Sequence, residues 1–251
     1  MVPIEDGSVT AAAPLAGWRV AVTAVRRREE QVRLLRSAGA AVVLAGVADD
    51  LPASSGRFTG SVRELCLVEV LARRHVDAVT FTTTAAVRAL VGRTRNDHHG
   101  EEALAALAGD VVPACLGAAC AEAAARAGMT GIVRSERLRL GALVRALGEH
   151  LEQAAVRLRL GGCDVVLQGA LAVVGGEEVW LTGREQALLS VLARRPGTVV
   201  GKEELLRSVW GAEGVDPHAV EVAVGRLRRR LGPAAGGLET VPRRGYRLTS
   251  G

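Results

Sequence analysis

From Trp18 to about Leu151 short apolar runs alternate with amphipathic stretches, and after about residue 155 that alternation stops. WRVAVT (18–23), AVVLAG (41–46), DAVTFT (77–82), VVPACLG (111–117) and TGIVRS (130–135) read as five strands. Between and after them REEQVRLLRSAG (28–39), SVRELCLVEVLARR (61–74), TAAVRALVG (84–92), EEALAALAG (101–109), AACAEAAARAG (118–128) and LGALVRALGEHL (140–151) read as helices. Strand–helix alternation of this kind predicts a parallel sheet covered on both faces, and five strands suggest a single flavodoxin-like layer over 17–152. Residues 1–16 read as a loose tail of small and polar residues.

Over 155–251 the pattern predicts an α+β domain. VRLRL, DVVLQ, LAVVG and EVWLT are short strands joined by glycine-containing turns. Three helices follow. The first opens on the capping box Thr182-Gly-Arg-Glu185, the second is KEELLRSVW (202–210) stopped by Gly211, and the third runs from Asp216-Pro217 to Gly232-Pro233. ETV-PRRG-YRL closes the chain as a hairpin with its basic residues at the tip.

The third helix, HAVEVAVGRLRRRL, places Val220, Val224, Leu227 and Leu231 at steps of four, three and four, which is one face. The side facing away presents Val222, Gly225, Arg226 and Arg229, with Arg228 and Arg230 flanking it. Residues 226–247 hold seven arginines against one acid, Glu239, and this local excess of six exceeds the net charge of +5. Charge so concentrated points to a polyanion. A helix about 10–12 Å across fits the major groove of B-DNA. There arginine bonds guanine or neutralises phosphate, and Val222 is placed for a thymine methyl. Arg243 and Arg244 at the hairpin tip reach a neighbouring groove or backbone. A β platform, three helices and a basic hairpin make a winged helix-turn-helix, and double-stranded DNA is the expected partner.

These segments resemble the OmpR/PhoB-type winged-helix effector domain of response regulators over about 155–249. The resemblance implies recognition-helix arginines at Arg226 and Arg228, and a loop from Trp210 to Pro217 that in the family contacts RNA polymerase. Ala223 and Gly225 stand where the family often has His and Arg, and PRRG stands where it commonly has RGxG. Those departures bear on which DNA sequence is read. Tyr246 is expected to pack the hairpin onto the body.

A receiver domain upstream would need an acidic cluster after strand one and an aspartate after strand three to hold Mg²⁺. The chain has Thr23-Ala-Val-Arg26-Arg27 and Thr82-Thr83-Thr84 at those places. Instead LAGWRVAVTAVRRREEQVRLLRSAGAAVV, VDAVTFTTTAAVRALV and DVVPACLGAACAEAAARAG resemble uroporphyrinogen-III synthase, in particular its fusions to an OmpR-type domain. That enzyme has two lobes, and here DDLPASSGRFTG (49–60) stands in place of the inserted one, which implies an incomplete cleft and no synthase activity. No catalytic residue, cofactor or metal is assigned.

Thr23, Thr82, Thr83, Thr84 and Gly117 fall at the carboxyl ends of predicted strands, where open α/β sheets bind ligands. With Arg26 and Arg27 they suggest a pocket for a carboxylated or phosphorylated effector; the competing expectation is that they merely cap helices. Cys66, Cys115, Cys120 and Cys163 form no CxxC and read as small buried residues of a reducing compartment. No apolar run reaches membrane-spanning length and the first residues are not a signal peptide, so the expected location is cytoplasmic. The composite expectation is a transcriptional regulator whose degenerate synthase-like domain senses or dimerises, with a homodimer on repeated half-sites. Two rivals stay open: a bifunctional protein that keeps synthase activity in tetrapyrrole biosynthesis, decided by a hydroxymethylbilane assay, and a protein-interaction module that does not bind DNA.

Overall fold

The computed structural model describes residues 13–24, 26–46, 65–211 and 216–249. The chain divides into two compact units between Gln153 and Ala154.

In the amino-terminal unit β1 (Arg19–Val22), β2 (Ala41–Gly46), β3 (Leu65–Cys66), β4 (Ala78–Phe81), β5 (Val112–Cys115) and β6 (Val133–Arg134) form a parallel sheet in the order β3-β2-β1-β4-β5-β6. Successive side chains of a strand point to opposite faces, and both faces are covered. Val20 and Val22 pack with Leu35 of α1 (Arg28–Ser37) and Leu143, Leu147 and Leu151 of α6 (Leu140–Gln153). Ala21, Val79 and Phe81 pack on the other face. Their partners there are Leu71 of α2 (Leu67–Ala72), Leu90 of α3 (Thr84–Thr94), Leu107 of α4 (Gly100–Leu107) and Ala124 of α5 (Ala118–Arg126).

Two expectations are corrected. The sheet has six strands among the described residues, because Leu65 and Cys66, read as part of a helix over 61–74, pair with Ala45 and Gly46. A short apolar run carries no period to separate strand from helix, and only α2 remains helical. Without β3 the order is that of a five-stranded flavodoxin-like sheet, so β3 extends that sheet at its edge. The packed unit also begins before residue 17. Leu15 is fully buried and its N–H donates to Ala38 O at 2.8 Å. The segment 49–60, read as replacing a lobe, lies outside the described residues, as do 1–12.

The carboxy-terminal unit opens with an antiparallel meander, β7 (Val156–Leu160), β8 (Cys163–Gln168), β9 (Leu171–Val174) and β10 (Glu177–Trp180), followed by α7 (Gly183–Ala193), α8 (Lys202–Trp210) and α9 (His218–Leu231). A 3-10 turn, Gly232–Gly237, leads to the hairpin β11 (Leu238–Val241) and β12 (Gly245–Leu248). One core joins the platform, the helices and the hairpin through Val165, Val174, Leu188, Leu192, Leu205, Leu227 and Leu248. The capping box forms as read: Glu185 N–H donates to Thr182 Oγ1 and Thr182 N–H to Glu185 Oε2. Thr182→Ala leaves that first turn uncapped and is expected to cost about 1 kcal/mol in a denaturant titration, with unchanged secondary structure.

Candidate nucleic-acid interface

The interface is built on α9. Val220, Ala223, Val224, Leu227 and Leu231 are buried against the rest of the unit, so the helix is held by one stripe. Asp216 Oδ1 accepts from His218 N–H at 2.8 Å and satisfies one donor at its start. Across the start, Glu221 is paired with Lys202 of α8 and with His218 at 3.1 Å. Lys202 and His218 hold the Glu221 carboxyl below the usual carboxylate range. This network was not singled out in the sequence; its signal was the lone lysine at the first turn of α8.

The arginine run divides by direction. At about 100° per residue, Val222, Arg226 and Arg229 lie opposite the buried stripe, while Arg228 and Arg230 lie about 80° to either side of its centre. Arg226 and Arg229 are exposed, and Val222 is 40% exposed between them. A Cβ on Gly225 would meet open space, so that face is flat there. Arg230 turns toward α7, with Nε 3.8 Å from the carboxylate of the buried Glu185. Arg228 turns toward the hairpin. Its Nε and Nη2 donate to Leu238 O at 3.0 and 2.6 Å, and Nη2 donates to Thr240 Oγ1 at 2.8 Å. Arg228, placed on the flank of that side and expected as a recognition-helix arginine, has an intramolecular partner for its guanidinium, because its angle around the helix aims it at β11.

The hairpin tip carries Arg243, in the left-handed region at φ 60°, and Arg244, both exposed. Arg247 further along β12 is tied to Glu239 at 2.8 Å. Its guanidinium, with the Thr249 hydroxyl, holds the Glu239 carboxyl below its usual range. Tyr246 is buried, and its backbone pairs with Val200 in both directions at 2.8 and 3.0 Å. It packs the hairpin onto the body, as expected. Of the seven arginines in 226–247, Arg228 and Arg247 are hydrogen-bonded within the domain, Arg230 is exposed with its guanidinium 3.8 Å from Glu185, and the other four are exposed.

A β platform, three helices with an exposed arginine face on the third, and a docked basic hairpin are now in place. Residues 176–248 match the family model described as transcriptional regulatory protein, C terminal. This carboxy-terminal unit is a winged-helix domain that matches this family model. Among its relatives, the transcriptional regulatory protein PrrA of Mycobacterium tuberculosis is 38% identical over 114 residues, 44% of this chain and 48% of that protein. The transcriptional regulatory protein CutR of Streptomyces coelicolor is 38% identical over 117 residues, 43% of this chain and 50% of that one. The chain therefore spans about half the length of these relatives. Both are transcriptional regulatory proteins by name. The DNA-binding domain of Klebsiella pneumoniae RstA, solved with the RstA box, is 26% identical and covers 37% of this chain and 96% of that one, with a TM-score of 0.32. The family model leaves residues 1–175 outside it.

The strand-end residues of the amino-terminal unit are largely consumed by the fold. Thr23 is buried and its hydroxyl donates to Thr80 O at 2.7 Å. Thr83 caps α3 by accepting from Ala86 N–H at 3.2 Å, and Thr84 Oγ1 accepts from Arg88 at the same distance. Arg27 is paired with Glu30 at 2.7 Å. Gly117 lies under Leu138, so that a Cβ there would overlap the leucine side chain. Thr82 is half-buried and Arg26 exposed. Of these residues Thr84 lines a groove, beside Arg88 and Arg126. A second shallow groove between α3 and α5 is lined by Arg88, Gly92, Arg95, Ala123 and Arg126. Two of the four cysteines also depart from expectation: Cys115 and Cys120 are buried, but Cys66 and Cys163 are half-exposed. Among the described residues no group of three or more His, Cys, Asp or Glu is placed to hold a metal, and no helix is long and apolar enough to cross a membrane.

Proposed function

We propose that the protein is a DNA-binding transcriptional regulator that lays α9 in the major groove and the hairpin tip on a neighbouring groove or the backbone. The observation that carries this is the division of the arginines. Arg226, Arg229, Arg243 and Arg244 are exposed on the helix face and the tip, Arg228 and Arg247 are hydrogen-bonded within the domain, and the exposed Arg230 leans to 3.8 Å from the Glu185 carboxylate. An arginine face that were only solvated would have no reason to sit beside Val222 and Gly225, which leave the middle of the helix flat for close approach. A single winged-helix module buries little surface on DNA, so two copies on repeated half-sites are the assembly this reading favours. It also sets the protein to work in the cytoplasm, beside the chromosome. The loop from Trp210 to Pro217 is the segment we assign to RNA polymerase; residues 212–215 of it lie outside the described residues.

For the amino-terminal unit we favour a degenerate uroporphyrinogen-III synthase-like sensor or dimerisation domain over a phosphoreceiver. What supports this is chemistry at the strand ends. β1 and β4 are followed by Thr23 and Thr82-Thr83, where aspartyl phosphorylation needs carboxylates to hold Mg²⁺. A phosphodonor such as acetyl phosphate is accordingly expected to leave the protein's mass and its DNA affinity unchanged.

The DNA reading is tested by salt. Neutralising four to six phosphates gives a slope of log K against log salt of roughly −4 to −5. A flat titration on duplex DNA contradicts the proposal and favours a protein-binding role.

A further inference from the structure

The hairpin that carries Arg243 and Arg244 is short. Two four-residue strands are marginal on their own, so the direction of the tip is set by what holds each strand. Strand β12 is held by the paired backbones of Tyr246 and Val200. Strand β11 is held by Arg228, whose guanidinium donates twice to Leu238 O and once to Thr240 Oγ1. Thr240 stands opposite Tyr246 in the hairpin register, so the two anchors grip the hairpin at the same level, one from each side. Leu238 stays buried in the core without Arg228, but the polar tie from α9 to Leu238 O and Thr240, which fixes the direction of β11 beyond that residue, is then lost. The planar fork of arginine holds two acceptors in fixed directions, which the single point charge of lysine does not.

We infer that Arg228 is a positioning residue for DNA binding rather than a DNA contact: it fixes the hairpin tip relative to Arg226 and Arg229, so that helix and tip engage the duplex together. This rests on the DNA-binding reading above. The cation of Arg228 does its work inside the domain, and its effect on affinity passes through Arg243 and Arg244.

A double-mutant cycle on the full chain tests this, using a duplex selected from genomic DNA by the unmodified protein. Arg228→Ala is expected to weaken binding about tenfold, as loss of a charge-assisted pair would. Adding Arg228→Ala to Arg243→Ala/Arg244→Ala should then change affinity by no more than about twofold, while adding it to Arg226→Ala should multiply the two losses. Thr240→Val removes no charge, yet should weaken binding about two- to fivefold by loosening the same anchor. If Arg228→Ala unfolds the domain, Thr240→Val combined with the tip variants gives the same comparison. Losses at 228 and at the tip that multiply, with Thr240→Val binding as the unmodified protein does, overturn the inference and leave the DNA reading standing. Failure of the unmodified protein to bind any duplex overturns both.

Discussion

Replacing Arg226 and Arg229 together by alanine is expected to weaken binding to the preferred duplex by about 2–5 kcal/mol, roughly 30- to 5,000-fold. Each side chain that reads a base contributes about 1–3 kcal/mol, and the two lie on one exposed face of α9 with Val222 between them. Neither belongs to the buried stripe of Val220, Ala223, Val224, Leu227 and Leu231. The thermal midpoint should therefore hardly move, since surface substitutions away from caps and buried pairs stay within about 0.5 kcal/mol. Equilibrium titration of the variant and the unmodified protein against one duplex, beside thermal unfolding of both, separates the two effects. An affinity unchanged by the double substitution removes α9 from the interface.

Gly245→Ala is expected to damage the fold severely, at about 3–5 kcal/mol. Gly245 has φ 137°, outside what a side-chain-bearing residue adopts, and strain of that kind costs about 1–3 kcal/mol. A Cβ there would also overlap the carbonyl of Val200, which accepts from Tyr246 N–H. The hairpin must move off the body, and the two backbone bonds between Val200 and Tyr246 go with it, at about 1 kcal/mol each. Since domains are stable by only about 5–15 kcal/mol, the change uses much of what there is. Denaturant unfolding of the variant checks this. A midpoint equal to that of the unmodified protein would mean that the hairpin is not docked through Val200.

The winged-helix unit was largely legible in its sequence because its signals are local. The Thr182–Glu185 box, the Asp216-Pro217 start, the stripe on α9 and the turn at Pro242–Arg244 each act over a few residues, and each names its own element. The amino-terminal unit was legible in its alternation but not in its edge. Leu65 and Cys66 are strand only because Ala45 and Gly46 offer an open backbone to pair with, a condition 20 residues away. The interface was legible in its charge and not in its directions. Four arginines within five positions look alike in a sequence, and helical spacing puts Arg228 and Arg230 at the flanks without saying what they meet there. Leu238 O and Thr240 are brought to Arg228 by the 3-10 turn, and Glu185 to Arg230 by the packing of α7 on α9. At the strand ends the expectation of helix caps is met at Thr83, which caps α3, while the Thr23 hydroxyl is spent on Thr80 O, a partner 57 residues away that no local pattern names.

The measurement that bears most directly on the account is selection of sheared genomic DNA by the purified full-length protein, sequenced beside the Arg226→Ala/Arg229→Ala variant. The account predicts a recurring sequence, enriched by the unmodified protein and lost in the variant. Uniform enrichment that salt abolishes, equal in both samples, would contradict it: the arginines would then act as a general polyanion surface and α9 would read no bases.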